Sequence, residues 1–117
     1  MHDYKKLDVW NLAIELVTEV YRITDSFPKT EVYVITTQIR RSAVSIPSNI
    51  AEGAGRKSEG QFKVFLGYAY GSSCELETQL IISEKLKYID SEALNILSKK
   101  KASIQKMIYK LIESLNN

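Results

Sequence analysis

The chain is short of the residues that most often carry chemistry. Among its 117 residues are one cysteine, one histidine, one tryptophan and two prolines. The lone Cys74 excludes an internal disulfide and any multi-cysteine metal site, and fits a reducing cytoplasm. It has no histidine partner for nucleophilic catalysis and lies in mid-helix, so it reads as a packing residue. The lone His2, at a terminus expected to fray, cannot supply the two Glu-x-x-His pairs of a carboxylate-bridged di-metal bundle. No metal and no cofactor is called for. No apolar run approaches the ~18 residues of a membrane span, and the opening MHDYKKLDVW lacks the apolar core of a signal peptide. The net charge is +2, so any binding of nucleic acid has to come from clustered rather than total charge. No repeat or low-complexity segment divides the chain, and residues 1–117 are read as one domain.

What is present is helical periodicity. Asp8 is placed to cap a first helix, with Leu7 and Leu12 at staple spacing around it. Trp10, Ala13, Ile14, Val17, Val20, Tyr21 and Thr24 then recur at three and four, and Pro28 ends the helix. A second helix is expected from an N-cap at Thr30. Ile35, Ile39, Ala43, Ile46, Ile50 and Ala54 fall within an arc of roughly 100°, with Arg41, Ser45, Ser48 and Glu52 opposite. Pro47 lies inside this helix and removes the bond to the carbonyl of Ala43. The unbroken periodicity favours a kink at Pro47 over a division into two helices, and the hydroxyls of Ser45 and Ser48 are at hand for the freed backbone groups. Gly53 and Gly55 end the helix, one of them in the left-handed C-cap conformation.

Ser58-x-x-Gln61 is a capping box for a third helix, which carries Phe62, Phe65, Leu66, Ala69, Ser73, Leu76, Leu80, Ser83 and Leu86 along one face. Gly67 and Gly71, one turn apart, suggest close approach of a neighbouring backbone. Asp90-Ser91 caps the last helix, whose stripe Leu94, Leu97, Lys101, Ile104, Ile108, Leu111 and Leu115 has one lysine in an otherwise apolar slot. The four helices, at about residues 8–26, 30–55, 59–88 and 91–115, make an all-α, antiparallel up-down four-helix bundle, with helix 2 kinked at Pro47.

Charge is unevenly placed. Residues 1–84 hold nine Lys/Arg against eleven Asp/Glu, whereas residues 85–117 hold seven lysines against three acids. Lys99, Lys100, Lys106 and Lys110 of the last helix read either as a nucleic-acid face or as a solvated surface. Gly53-Ala54-Gly55-Arg56-Lys57 joins helix to helix and lacks the Gly-Lys-Ser/Thr end of a phosphate loop. It reads as a capping loop, or as an anion site at the start of the third helix. Glu52, Glu75 and Glu77 are expected to pair with Arg40 or Arg41 across helices 2 and 3, fixing register. Tyr68, Tyr70, Tyr88 and Tyr109 add aromatic surface of the kind that subunit interfaces favour.

The segments LDVWNLAIELVTEVYRIT, FPKTEVY, QIRRSAVSIPSNIAEGAGRKS and FLGYAYGSSCELETQL, with Leu-x-Tyr-Ile at 86–89, resemble the bacterial 23S rRNA intervening-sequence protein family, also called the four-helix-bundle protein family. The resemblance runs over about residues 4–112. It implies a small cytoplasmic four-helix protein that forms rings of five subunits. Some members are encoded inside insertions in large-subunit rRNA genes. A similar protein is the accessory subunit of diversity-generating retroelements, where it associates with a reverse transcriptase and nucleic acid.

The resemblance thus implies a non-catalytic homo-oligomeric scaffold, a homopentamer, with RNA, DNA, a reverse transcriptase or another protein as partner. The alternative is a protein–protein adaptor whose ring binds no nucleic acid. Arg40, Arg41, Arg56 and Lys57 stand where the family motif has its basic residues. Together with Lys63, Lys99, Lys100 and Lys106 they are the nucleic-acid-binding candidates. Pro47, Asn49, Glu52, Gly53, Gly67, Gly71, Glu75 and Glu77 are the structural or interface candidates.

Overall fold

The computed structural model describes residues 1–32 and 34–116. Four helices, α1 (Asp8–Thr24), α2 (Ile35–Ala54), α3 (Glu59–Lys85) and α4 (Ser91–Leu115), form an all-α four-helix bundle. Single 3₁₀ turns at Tyr4–Lys6 and Lys29–Glu31 precede α1 and α2. Each helix packs on its neighbours in the chain, and α1 closes the ring against α4. The order of side-chain contacts makes the neighbours antiparallel. Ser42 meets Glu75 while Gly53 meets Phe62, and Lys101 meets Glu77 while Lys63 meets Asn116.

The core stripe of α2 is the one the periodicity predicts: Ile35, Ile39, Ala43, Ile46, Ile50 and Ala54 are all buried. The helix runs unbroken through Pro47, which rules out two separate helices. Ser45 does not serve the freed backbone; its hydroxyl pairs with that of Ser72 on α3. The side-chain amide of Asn49 donates to the Ser45 carbonyl at 2.7 Å, which is not the carbonyl that Pro47 frees.

In α1 the expected stripe is displaced. Val9, Ala13, Leu16, Val20 and Thr24 face the core, whereas Ile14 and Tyr21 are exposed and Trp10 and Val17 are half-buried. The helix is apolar over more than one face, so three-and-four spacing fits both stripes and packing decides between them.

The helix ends depart from expectation at several points. Leu7, not Asp8, occupies the N-cap of α1, and Asp8 sits in the first turn, where its charge suits the helix dipole. Thr30 lies in the 3₁₀ turn, and α2 begins five residues later, after Val34, with no side-chain cap. Gly55 ends α2 with φ −80°, and no glycine among the described residues has positive φ.

The left-handed residue is Lys87, φ 66°, beyond the end of α3. Its N–H donates to the Glu84 carbonyl at 2.9 Å, and that of Tyr88 to the Ser83 carbonyl at 2.9 Å. This is the Schellman pattern, built on lysine where glycine is usual, and it stops α3 short of residue 88. The caps on the other two helices hold: Ser58 Oγ accepts from Gln61 N at 3.1 Å and Asp90 Oδ1 from Ala93 N at 2.8 Å. On α3, Leu86 is exposed and Phe65 only half-buried; the rest of the predicted face is core.

Candidate nucleic-acid interface

The eight basic candidates do not converge on one patch. Arg40 is tied to the end of α1. Its Nε donates to Thr24 Oγ1 at 2.9 Å, its Nη2 lies 3.4 Å from the Tyr21 carbonyl and 3.5 Å from Asp25 Oδ1, and its guanidinium stacks 4.5 Å from the Tyr21 ring centre. These contacts engage Nε and Nη2 and clamp α2 to α1. Arg41, one residue on, turns outward and is exposed, with no ion-pair partner among the described residues. Arg56 is held in place by Glu52 at 3.0 Å and lies 4.7 Å over the Phe65 ring. Lys57 is exposed in the α2–α3 loop, and Lys63 donates to Asn116 Oδ1 at 2.6 Å.

On α4 the lysines separate by environment. At 100° per residue, Lys99, Lys106 and Lys110 stand opposite Leu97, Ile104 and Ile108, and all three are exposed. Lys110, absent from the eight candidates, belongs to the stripe by its steps of seven and four. Lys100 is half-buried on the α1 side, where its charge reaches Glu19. Lys101 enters the core region, donating to Glu77 Oε1 at 3.0 Å and Gln105 Oε1 at 3.1 Å.

The glutamates therefore pair differently from the sequence expectation. Glu52 serves Arg56 four residues along, Glu77 serves Lys101 of α4, and Glu75 accepts from Ser42 Oγ at 2.7 Å. None of the three bonds to Arg40 or Arg41, because Arg40 leans toward α1 and Arg41 toward solvent. Cys74 is exposed rather than packed, 3.5 Å from Gln105 Nε2. His2 does not fray: its N–H donates to the Ala54 carbonyl at 2.8 Å, and its ring reaches Glu59 Oε1 at 2.9 Å. It thereby covers the α2–α3 end of the bundle.

Close backbone approach occurs at Gly53, not at Gly67 or Gly71, around which a side chain would find open space. Two shallow depressions flank the outward side of α2. One, of about 570 Å³, runs along α2 beside Tyr21, and the other, of about 300 Å³, lies between α1 and α2 and is floored by Trp10, Ile14, Val17 and Pro47.

A ring of four antiparallel helices, with cations spread over its outer faces, defines a small helical-bundle protein. The chain belongs to the family of the 23S rRNA-intervening sequence protein, whose profile matches residues 5–110. Its fold is similar to that of a protein of unknown function from the S23 ribosomal protein family of Bacteroides thetaiotaomicron. The TM-score is 0.80 and the identity 24%, over 89% of this chain and 97% of that one. No protein of curated function matches the chain.

Proposed function

We propose that this protein is a non-catalytic, self-assembling cytoplasmic scaffold that holds RNA along the outward stripe Lys99–Lys106–Lys110 of α4. The observation that carries the reading is the alignment of three exposed ammonium groups on one face, spanning about 16 Å at 1.5 Å per residue. Arg56 and Lys57, at the start of α3, supply a second cationic point beside free helical N–H groups. A ring of five subunits would multiply so modest a patch by avidity. The family to which the chain belongs agrees with an RNA partner in its name alone.

The test is fluorescence polarisation with a structured RNA across a salt series. Wild type should weaken steeply with salt. The triple variant K99E/K106E/K110E should lose binding and flatten the slope by about 2–3, since each phosphate contact contributes about 0.7–0.9. Binding indifferent to both salt and the triple change would overturn this reading, and no RNA binding at any salt would leave the protein–protein adaptor. The apolar depression floored by Trp10, Ile14 and Val17 favours that second reading.

A further inference from the structure

We propose that the depression of about 570 Å³ along α2 beside Tyr21 is a nucleotide site, which takes one unpaired nucleotide of the RNA with its base on Tyr21 and its phosphate on Arg41. This rests on the reading that the protein holds RNA; it adds a second site and names the form of RNA that fills it. The lysine stripe of α4 offers charge alone, and contacts to phosphate carry no information about the base. The depression lies on a different side of the bundle, since α2 and α4 stand diagonally across it.

Tyr21 comes from α1, and Arg40, Arg41, Val44 and Ser48 from α2. The Arg40 guanidinium lies 4.5 Å from the Tyr21 ring centre and is kept there by its bond to Thr24 Oγ1 at 2.9 Å. Ring and guanidinium make one platform, and bases stack on aromatic rings and on guanidinium planes alike. Arg40 is thus ordered before a base arrives, so little side-chain freedom is left to lose. Tyr21 keeps 43% of its surface exposed and Val44 38%, so this platform faces solvent rather than the core.

Arg41 supplies the charge. It is exposed and has no ion-pair partner among the described residues, so its fork is open to a phosphate. Ser48 and Asn49 stand two turns further along α2, about 10–12 Å at 1.5 Å per residue, and line the depression with a hydroxyl and a carboxamide. Glu52 closes the far end; paired with Arg56 at 3.0 Å, it leaves no second free cation there for another phosphate. The depression therefore fits one nucleotide rather than a strand laid along α2, and its volume is that of a small-ligand site. A base inside a duplex is stacked on both faces and paired on its edge, so only a loop, bulge or end can fill it.

Fluorescence polarisation of the full chain tests this with two RNAs of equal nucleotide count, a hairpin with an unpaired loop and a fully paired duplex. Wild type is expected to bind the hairpin more tightly by about 5- to 150-fold, the equivalent of one base stacked on an aromatic side chain. Tyr21→Ala should abolish that preference, with an unchanged helical circular dichroism spectrum and unchanged duplex binding, whereas Tyr21→Phe should keep it. Arg41→Gln should lower the hairpin's salt slope by about 0.7, one single-strand phosphate contact. A second measurement needs no variant: 4-thiouridine placed in the loop should photo-crosslink to the end of α1 or the middle of α2.

Equal affinity of wild type for the two RNAs, a hairpin preference that survives in folded Tyr21→Ala, or crosslinks confined to α4 would overturn the site. Equal affinity for both RNAs, lost in K99E/K106E/K110E, would overturn the nucleotide site and leave the scaffold reading intact. Absence of binding to either RNA at any salt would overturn that reading and the site with it, so the two failures are distinguishable.

Discussion

Gly53 of α2 and Phe65 of α3 approach so closely that a Cβ built on Gly53 would lie 2.6 Å from that of Phe65. Phe62 adds to the crowding, with its Cδ1 at 3.0 Å and its carbonyl oxygen at 3.3 Å. A Cβ is fixed to its backbone, so the two helices would have to move apart. Gly53→Ala is therefore expected to destabilise the bundle by about 1–3 kcal/mol, even though alanine suits a helix better by about 1 kcal/mol. Gly67→Ala and Gly71→Ala meet open space and should each stabilise by up to about 1 kcal/mol. Urea midpoints for the three variants check the sign at each position.

Lys101 and Glu77 make the most buried ion pair among the described residues, with side-chain exposures of 11% and 33%. The asymmetry matters. Glu77→Ala strands an ammonium group that is nearly buried, with only Gln105 left to accept from it, and should cost about 1–3 kcal/mol. Lys101→Met leaves a carboxylate that reaches water, and methionine fills the vacated slot, so its cost should stay under about 1.5 kcal/mol. Chemical denaturation of both single variants measures the difference. Equal losses would show that the pair contributes through packing alone.

Glu19 supplies a pH signature. The hydrogen bond from Arg22 holds its carboxyl below the ordinary carboxylate range; partial burial opposes this, and the charges of Arg22 and of Lys100 on α4 add to the lowering. A depressed folded pKa stabilises the fold above the unfolded value of about 4.3, and that stability is lost as pH falls through the lower folded value. Arg22→Ala should cost less than about 1 kcal/mol at neutral pH, as for other surface pairs. The gap between variant and wild type should close in acid, once Glu19 is protonated in both states. Denaturation midpoints at neutral and strongly acidic pH would expose a gap that fails to close.

Some elements could be read from sequence because the signal is local. The stripe of α2, the caps at Ser58 and Asp90 and the lysine in the α4 slot all follow from spacing or from a side chain reaching its own helix. The α1 stripe misled because Val9–Leu16 and Trp10–Val17 offer two apolar edges of equal period. The end of α3 was hidden because lysine takes the left-handed position usually marked by glycine. The basic motif Arg40-Arg41 reads as one unit in sequence, yet adjacent helical positions diverge by 100°. One arginine clamps α1 and its neighbour faces solvent.

By itself, then, the sequence determined four amphipathic helices, their antiparallel order and the family, since periodicity, caps and motif residues are properties of neighbours along the chain. It determined the scarcity of histidine and cysteine as well. The tertiary structure alone decided which apolar edge of α1 turns inward, which partner each glutamate takes, and that the close approach falls at Gly53 rather than at Gly67 or Gly71. Those outcomes depend on side chains far apart in sequence competing for the same space and the same charge. No local pattern records that competition.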